Sequence, residues 1–367
     1  MTGLVGKGFF IWKIQDCEGG NPQSIAAAAQ QAGFSHVLVK IADGGWPVNI
    51  DRKTNTDLLP PVVQAIREKG IQVWGWHYVY GNDPLSEANV AIRRIQQFQL
   101  DGYVIDAEIE YKQAGKERAA RRFMGKLREA LPNLPMALSS YRFPSYHPQL
   151  PWKVFLEYVD FNMPQVYWEK AHNPEAQLRR SVREFQGMTP LRPVIPTGPT
   201  YKTGGWAPTE QDIIEFLRTA QALGLSAVNF FSWDECRRQT PTLWDVIAHF
   251  SWSPQPPPPD IIELYFQALN LHDPFLILHL YHPDAVHITP ARVIQGSQAI
   301  QAWYTTLFND LLPAATFTLT HATQSGNSRH FNWTAQSGNV TVKNGADTIG
   351  IMDGKIAYHY TNFTVSA

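Results

Sequence analysis

Eight apolar segments that alternate with helical stretches occupy residues 1–250 and limit the fold to few possibilities. The segments are rich in β-branched and aromatic residues, and each is followed by a polar loop, which indicates buried strands. An eightfold alternation of strand and helix over this length predicts a closed parallel (β/α)8 barrel. The predicted strands are residues 8–14, 36–42, 73–80, 102–107, 136–140, 161–167, 194–197 and 227–232.

Amphipathic stretches between these strands predict the outer helices of the barrel. Gly33, Gly70 and Gly224 fall just beyond three of them, where a glycine often ends a helix. The alternative is an open, doubly wound sheet. No glycine-rich phosphate loop follows the first strand, which argues against a dinucleotide-binding version of that sheet. The predicted helices are residues 22–32, 58–69, 85–98, 116–131, 152–158, 174–184, 209–223 and 241–250.

A proline-rich segment, residues 251–260 with the sequence SWSPQPPPPD, divides the chain. Successive prolines favour extended polyproline II, which serves as a semi-rigid spacer. We therefore predict three parts: the barrel at residues 1–250, a linker at 251–260 and a smaller α+β domain at 261–367.

The smaller domain begins with helices and continues with strands. This order predicts a curled antiparallel sheet covered by helices, that is, an α+β cone. Glycine-containing pairs and triplets at 325–327, 344–345 and 353–354 indicate hairpin turns. The predicted helices are residues 261–271, 274–280 and 299–312, and the predicted strands are 315–324, 331–336, 339–343, 347–352 and 355–364.

The sequence YFQALNLHDPFLILHLYHPDAVHI and the helix from Gly296 to Trp303 resemble the NTF2-like (SnoaL-like) superfamily, over nearly all of residues 260–367. The resemblance implies a pocket or a dimer surface. No acid–base pair stands out, so ligand binding or homodimerisation is the expected role of this domain. Several polar residues could line the pocket, cap helices or face solvent: His272, Asp273, His279, His282, Asp284 and His287.

The composition excludes several classes of function. A net charge of -1 leaves no basic surface field that would hold nucleic acid or an anionic membrane. No apolar run reaches the roughly 18 residues that suggest a membrane span. Residues 1–12 lack the small-residue cleavage site of a secretory signal, which leaves the location open between extracellular action on a cell wall and the cytoplasm. We expect no nucleic acid partner, no membrane span and no cofactor.

Polar and aromatic residues collect at the ends of the predicted barrel strands, where the active sites of such barrels lie. His77 is expected to be a hydrogen-bonded barrel residue rather than a metal ligand, because no H-x-x-x-H or C-x-x-C spacing accompanies it. The strand ends carry Lys40 and Asp43; Trp76, His77, Tyr78 and Tyr80; Asp106 and Glu108; Gln165, Tyr167, Trp168 and Glu169; and Trp233, Asp234 and Glu235.

The step Asp106–Ala107–Glu108 carries the clearest chemical signal. It follows an apolar run, and side chains two residues apart on a strand point to the same face. Two carboxylates on one face oppose each other's ionisation, so one pKa rises and that group can donate a proton near neutral pH. Glycoside hydrolysis uses such a pair. The alternative is an ordinary polar strand end, with Glu108 paired to a loop lysine.

Three segments in the same order resemble the second, third and fourth strands of the glycoside hydrolase family 25 lysozymes: VLVKIADGG, VWGWHYVYG and YVIDAEIE. A secondary likeness is to the family 18 chitinases. The run DGYVIDAE is similar to D-x-x-D-x-D-x-E, except that Val104 replaces the middle aspartate. FNMPQVY and VNFFSW also resemble the sixth and eighth strands of that clan.

The sequence departs from family 25 in two acidic positions. An aspartate is usual on the first strand, but here Asp16 comes only after that strand. Another aspartate is usual late in the barrel, and Asp160, Asp234 or Glu235 would have to serve in its place. A divergent or inactive member of the family is therefore a second possibility.

The resemblance implies a retaining hydrolase of β-linked N-acetylated sugars. Glu108 would be the general acid/base. Asp106 would orient the acetamido group of the substrate, which attacks the anomeric carbon, and Tyr167 would hold that group. Tryptophans would floor the sugar subsites, with core packing as the alternative for Trp76 and Trp233. The expected substrate-binding residues are Lys40, Trp76, Tyr78, Gln165, Trp168, Trp233 and Asp234.

The two cysteines offer a test of the barrel topology. Cys17 follows the first predicted strand and Cys236 follows the eighth. These strands are neighbours in a closed barrel, so a disulfide between the two loops is a possibility. Two unrelated thiols are the alternative.

Three functions are compatible with these patterns. The first is a glycosidase of peptidoglycan or chitin type with Glu108 as its acid. The second is a degenerate barrel that binds carbohydrate or serves in assembly, as a homodimer through the C-terminal domain. The third is a metal-dependent hydrolase. It is less favoured because the histidines usual in such barrel sites are missing from most strand ends; its ligands would be Asp16, Asp106, Glu108 and Asp234.

Overall fold

The chain divides into two units, Met1–Pro257 and Pro258–Ala367. The computed structural model describes residues 4–252, 260–352 and 354–366. Most of the predicted linker (residues 253–259) and Asp353 of the predicted turn at 353–354 lie outside the described residues.

Eight parallel strands form a closed barrel in the first unit. Each strand pairs with the next along the chain, and the first pairs with both the second and the eighth. The predicted fold class is therefore confirmed. The strands are β1 (Gly6–Ile11), β2 (His36–Asp43), β3 (Gln72–Val79), β4 (Gly102–Ala107), β5 (Met136–Tyr141), β6 (Phe161–Gln165), β7 (Thr197–Pro199) and β8 (Ala227–Phe231).

Helices follow the strands and surround the barrel. The predicted eight are present, and Trp233–Gln239 forms an additional one that was not predicted. Asp234 and Glu235 lie in its first turn, where acidic side chains favour a helix start. The helices are α1 (Pro22–Gln31), α2 (Leu59–Arg67), α3 (Pro84–Phe98), α4 (Lys116–Ala130), α5 (Trp152–Tyr158), α6 (Pro174–Gln186), α7 (Glu210–Ala222), α8 (Trp233–Gln239) and α9 (Pro241–His249).

The barrel is filled by side chains from alternating strand positions, which include Phe10, Leu38, Trp74, Val104 and Met163. A larger apolar cluster lies between the strands and the helices. The two layers explain why these strands are apolar at nearly every position.

A buried lysine fastens the first strand to the last helix. The ammonium of Lys7, a residue that is 3% exposed, donates hydrogen bonds to the carbonyl oxygens of Ile247 (2.7 Å), Ala248 (3.0 Å) and Phe250 (2.8 Å). The final carbonyls of a helix have no partner within the helix, so this cation satisfies the end of α9. Burial lowers the pKa of Lys7 to about 8.

The second unit is an α+β domain, as predicted. Its sheet has the order β10-β9-β14-β13-β12-β11, and β15 pairs with β13. The helices are α10 (Ile261–Leu271), α11 (Pro274–Leu280) and α12 (Ser297–Thr306), the last continued by a π-helical turn at Leu307–Leu311. The strands are β9 (Tyr281–Ile288), β10 (Val293–Gln295), β11 (Thr316–Ser325), β12 (Ser328–Ser337), β13 (Val340–Met352), β14 (Lys355–Asn362) and β15 (Val365–Ser366).

Two predictions for the sheet of this domain are wrong, and one is confirmed. The segments 339–343 and 347–352 form one continuous strand, so 344–345 is not a turn. Gly345 lies within that strand because the Trp333 ring covers it, and a Cβ there would come within 2.3 Å of the ring. Strands β9 and β10 were not predicted. The hairpin at 325–327 is confirmed by the pairing of Ser325 with Ser328.

The disulfide considered from the sequence is not formed. Cys17 and Cys236 are free and buried. The sulfur of Cys17 lies 3.4 Å from the Lys13 carbonyl oxygen, and that of Cys236 lies 3.6 Å from the Thr240 carbonyl oxygen. Each thiol therefore has a local acceptor in its own segment. Burial raises the pKa of both thiols, for Cys236 to about 12.

We expect both thiols to be inert in the folded protein and reactive in the unfolded one. Titration with a chromogenic disulfide reagent should detect none in buffer and two per chain in concentrated urea without reductant, because only unfolding exposes them and lowers their pKa. Cys236→Ala, the matched control, should lower the count in urea to one. A count near zero in urea would mean that the sulfurs are bonded to each other.

Candidate active site

Two carboxyl groups and one amide meet at the carboxyl end of the barrel. Asp106 lies near the end of β4 and is 7% exposed, and Glu108 follows two residues later. Gln165, at the end of β6, donates its Nε2 hydrogens to Asp106 Oδ1 at 3.0 Å and to Glu108 Oε1 at 2.9 Å. The structure thus brings together three of the predicted site residues.

Burial and mutual repulsion raise the pKa values of the pair. Removal from water is the largest cause of the rise at Asp106, followed by the charge of Glu108, while Lys40 and the Ser139 hydroxyl oppose it. Burial also raises the pKa of Glu108, and the Gln165 amide opposes that rise. The Gln165 amide donates to both carboxyl groups and so holds them close together. A proton shared between them is therefore retained at a pH where an exposed carboxyl would have lost it.

Glu108 and Gln165 open into a cavity of about 450 Å³, named here the tyrosine cavity. The rings of Tyr167 and Tyr201 stand perpendicular with their centroids 5.6 Å apart, and the ring of Tyr141 stacks on His147 at 3.7 Å. The Arg142 guanidinium donates to the Tyr167 carbonyl oxygen. The cavity is lined by Glu108, Tyr141, Arg142, Phe143, Tyr146, His147, Gln165, Tyr167, Glu169 and Tyr201.

The alternative ion pair of Glu108 with a loop lysine is not what the structure contains. Lys112 is the nearby loop lysine, and its ammonium lies 3.9 Å from the centre of the Tyr141 ring. Its charge lowers the pKa of Glu108 only as a minor influence, after burial, the Gln165 amide and Glu110. Glu110 itself accepts a hydrogen bond from Tyr78 Oη at 2.8 Å.

Predicted residues of the second and third strands surround the pair on its other side. Lys40 Nζ lies 2.7 Å from Asp43 Oδ2, and Tyr80 donates to Asp43 Oδ1 at 2.8 Å. The same ammonium lies 4.8 Å from the centre of the Trp76 ring. His77 contacts Tyr103 Oη and the Gly44 carbonyl oxygen, at 2.8 and 2.7 Å. It is thus the hydrogen-bonded barrel residue that was expected.

The tryptophans predicted as sugar floors are buried. Trp168 and Trp233 are 0% exposed; Trp168 packs on Phe216 and Trp233 on Trp244, with ring centroids 5.3 and 4.5 Å apart. Trp76 is 3% exposed. No face of these rings is open to a ligand. For Trp76 and Trp233 the alternative of core packing therefore describes the structure, and none of the three tryptophans forms a sugar subsite.

The other acidic candidates lie apart from the pair. Asp160 precedes β6 and pairs with Arg128 at 2.7 Å, which places it at the opposite end of the barrel. Glu235 pairs with Arg238 on α8. Asp234 is 3% exposed and accepts a hydrogen bond from the Trp12 amide at 3.4 Å. Asp16 lies in a 3₁₀ turn after β1.

Several residues of this region were missed from the sequence. Tyr141 is the last residue of β5 and Arg142 follows it, so extending the predicted strand by two residues would have included both. Tyr201 is two residues beyond β7, which is only three residues long. Phe231 is the last residue of β8 and was given no role of its own in the predicted strand. Trp12, which is 41% exposed, directly follows β1.

A second polar cluster is buried in the C-terminal domain. His359 contacts Asp347 Oδ2 at 2.8 Å through Nε2 and the Tyr281 hydroxyl through Nδ1. Tyr281 also contacts Tyr304 Oη at 2.8 Å and His287 Nδ1 at 3.2 Å. Of the histidines and aspartates predicted as pocket candidates here, only His287 is buried in this network. Burial lowers its pKa to about 2, so its ring is neutral.

The described residues contain neither a cluster of metal-ligand type nor a helix that could span a membrane. No group of three or more His, Cys, Asp or Glu side chains in residues 4–252, 260–352 and 354–366 has the arrangement of a metal site. Within the same ranges, every helix is too short or too polar to cross a membrane.

Comparison with known proteins identifies the C-terminal domain. Residues 262–359 match the family model of the SnoaL-like domain. The chain therefore carries a SnoaL-like (NTF2-like) domain that follows the parallel barrel in the sequence. No curated protein sequence matches the chain significantly.

Solved structures similar to this chain share about a quarter of its length. One is an NTF2-like protein from Mesorhizobium loti (22% identity, 28% of this chain and 88% of that chain, TM-score 0.25). Another has a ketosteroid isomerase-like fold and comes from Catenulispora acidiphila DSM 44928, in complex with trimethylamine (15% identity, 28% and 84%, TM-score 0.26). A third is an NTF2-like protein from Cytophaga hutchinsonii ATCC 33406 (12% identity, 28% and 87%, TM-score 0.25).

We expect Asp106→Asn to stabilise the protein, in a pH-dependent way. The folded state keeps a proton that the unfolded chain releases above its ordinary pKa of 3.8, so the wild type loses stability as pH rises from there. Asparagine keeps the shape without that cost. Urea unfolding at pH 7 should show a gain on the order of 1 kcal/mol for the variant, and the gain should shrink near pH 4.

The exposed Asp245→Asn is the matched control and should change the free energy of unfolding little at either pH. Equal or lower stability of Asp106→Asn at pH 7 would show that the Asp106–Glu108 pair keeps no shared proton at that pH.

Proposed function

We propose that the barrel is a glycoside hydrolase that acts on β-linked N-acetylated sugars, with Glu108 as general acid/base. The observation that carries the proposal is the pair of the buried Asp106 and the partly buried Glu108, bridged by Gln165 and open to the tyrosine cavity. A carboxyl that holds its proton near neutral pH, at the edge of a cavity of this size, is what protonation of a glycosidic oxygen requires.

The two carboxyl groups share one donor, which favours a mechanism in which neither of them is the nucleophile. In enzymes where a second carboxylate is the nucleophile, the two groups stand about 5–5.5 Å apart, on either side of the scissile bond. Asp106 and Glu108 both accept from the Gln165 amide, at 3.0 and 2.9 Å, so in the proposal they act from one side. The nucleophile must then come from elsewhere, and the acetamido oxygen of the substrate is suited to that role.

In this mechanism Glu108 donates its proton to the glycosidic oxygen as the bond to the anomeric carbon breaks. The acetamido oxygen forms a new bond to that carbon and gives a cyclic oxazolinium ion, and the leaving sugar departs with the proton. Glu108 then removes a proton from water while the water oxygen bonds to the anomeric carbon. The bond from that carbon to the acetamido oxygen breaks, which opens the ring and restores the original configuration. Each step balances without a metal or a cofactor.

Asp106 and Tyr167 have supporting roles in the proposal. Asp106 would accept the acetamido N–H and stabilise the positive charge that develops on the ring. Tyr167 keeps its hydroxyl proton because burial raises its pKa well above the usual range, so it can donate a hydrogen bond to the substrate. Peptidoglycan, which is the substrate of lysozymes, and chitin are the two substrates to compare.

A binding protein without turnover is the second candidate. Strand β1 ends at Ile11 and is followed by Trp12. The carboxylate that is usual at this strand in family 25 is therefore missing here. Exposed aromatics nearby, such as Tyr146 at 61%, are suited to sugar contacts in a barrel that has lost catalysis. In that case the SnoaL-like domain would serve for assembly as a homodimer or for binding a ligand.

The decisive measurement is reducing-sugar release from purified peptidoglycan and from chitin oligomers. We expect the wild type to release sugars and Glu108→Gln to be at least 100-fold slower, because the amide cannot donate the proton. Glu117→Gln, a change at an exposed glutamate on α4, is the matched control and should retain full activity.

Two results would contradict the proposal. Turnover by Glu108→Gln at the wild-type rate would remove Glu108 from the chemistry. A folded wild type that releases nothing but binds the oligomers would favour the binding protein.

A further inference from the structure

A second cavity, also of about 450 Å³, opens at the mouth of the barrel on the Lys40 side of the carboxylate pair. We name it the tryptophan cavity, because Trp12 lines it with 41% of its surface exposed. Lys40, Asp43 and Asn49 line it as well. The proposed chemistry at Glu108 does not use this space.

The walls of the tryptophan cavity are fixed by hydrogen bonds within the protein. Asn49 Nδ2 donates to the carbonyl oxygens of Trp12 at 3.1 Å and Lys40 at 2.8 Å, and its Oδ1 accepts from the Ile14 amide at 2.9 Å. One side chain therefore joins the loop after β1 to the end of β2. Asp43 is held at both oxygens, by Lys40 and Tyr80. The cavity is thus formed in advance of any ligand.

An aromatic surface connects this cavity with the tyrosine cavity. The ring of Phe231 lies between them, with its centroid 6.2 Å from that of Trp12, 6.4 Å from Tyr167 and 6.3 Å from Tyr201. The four rings belong to segments at the ends of β1, β6, β7 and β8. A row of aromatic rings therefore runs from one cavity to the other.

Lys40 also connects the tryptophan cavity electrostatically with the carboxyl pair. Its ammonium lies 5.4 Å from the centre of the Trp12 ring and 4.8 Å from that of Trp76. The same charge acts on Asp106, whose pKa it lowers against the effect of burial. A ligand that hydrogen-bonds to Lys40 or Asp43 would lie beside the catalytic pair.

We infer that the tryptophan cavity is a second sugar-binding arm, so that the substrate is a saccharide chain that spans both cavities and is cleaved at an internal linkage. The inference rests on the proposed function. The Trp12 ring provides an apolar face for the C–H side of one pyranose, and the fixed Asp43–Lys40 pair provides an acceptor and a donor for its hydroxyls. A substrate of one or two sugars would leave this arm empty.

The test is the dependence of cleavage on chain length. The probes are β-1,4-linked N-acetylglucosamine oligomers of two to six units, and the readout is kcat/KM with chromatography of the products. We expect the wild type to prefer six units to two and to cut internally. In Trp12→Ala the ratio of kcat/KM for six units to that for two should fall at least tenfold.

Trp46→Ala is the matched control. Trp46 is 78% exposed and pairs with Asp43 at the end of β2, in a short antiparallel hairpin. It does not line the tryptophan cavity. Its loss should leave the chain-length ratio at the wild-type value. The comparison separates a specific role of Trp12 from the general effect of removing a surface tryptophan.

The failure of this inference is distinct from failure of the proposed function. If the wild type cleaves and Trp12→Ala keeps the chain-length ratio, the second arm is overturned and the glycosidase stands. If the wild type cleaves neither these oligomers nor peptidoglycan, the proposed function fails, and calorimetric binding of the six-unit oligomer decides about the arm. Tighter binding by the wild type than by Trp12→Ala then supports the arm, and equal binding or none overturns it.

Discussion

The parallel pairing of β1 with β8 is the constraint on which the candidate site depends. It closes the sheet and brings the carboxyl ends of all eight strands into one ring. Gln165 and Asp106 are 59 residues apart in the chain, on strands that are not adjacent, yet the amide reaches the carboxylate inside that ring. An open sheet of the same strands would separate them, because its strands would not curve around a common centre.

The neutral amide of Gln165, placed between the buried Asp106 and the partly buried Glu108, has a clear electrostatic effect. A cation in that position would favour ionisation of both groups and remove the proton that an acid catalyst must deliver. Gln165 instead offers N–H groups without a full charge, so it orders the pair and lowers the pKa of Glu108 only in part. Lys40 supplies positive charge from further away. The arrangement keeps the proton while it fixes the geometry.

Periodicity alone was enough to predict the barrel, its strand order and the Asp106–Glu108 step, because each depends on local spacing and on the common direction of parallel strands. The contribution of Gln165 was predicted only as a substrate contact, since a bridge across β5 requires side-chain positions that spacing does not provide. Trp168 and Trp233 were misassigned for a related reason: residues just past a strand end can turn outward into the helical layer. The disulfide was not formed because neighbouring loops do not by themselves bring two sulfurs together.

The C-terminal domain shows the limits of turn signals. Asn344–Gly345 has the composition of a hairpin, but Trp333 on the paired strand needs a residue without a side chain opposite its ring. Packing across the sheet therefore decided the role of that glycine. The buried Tyr281, His287, Asp347 and His359 were also unpredictable as a group, because they are brought together from three strands, β9, β13 and β14.

The three hydrogen bonds of Lys7 define where the barrel ends as an independent piece of protein. Ile247, Ala248 and Phe250 are among its last residues before the proline-rich segment, and they hold a strand that lies more than 230 residues earlier. During synthesis, the ammonium of Lys7 on β1 therefore has no acceptors until almost the whole barrel has been made. A protease cut after Phe250 would leave the three hydrogen bonds intact. A cut a few residues earlier would leave the buried ammonium of Lys7 without acceptors.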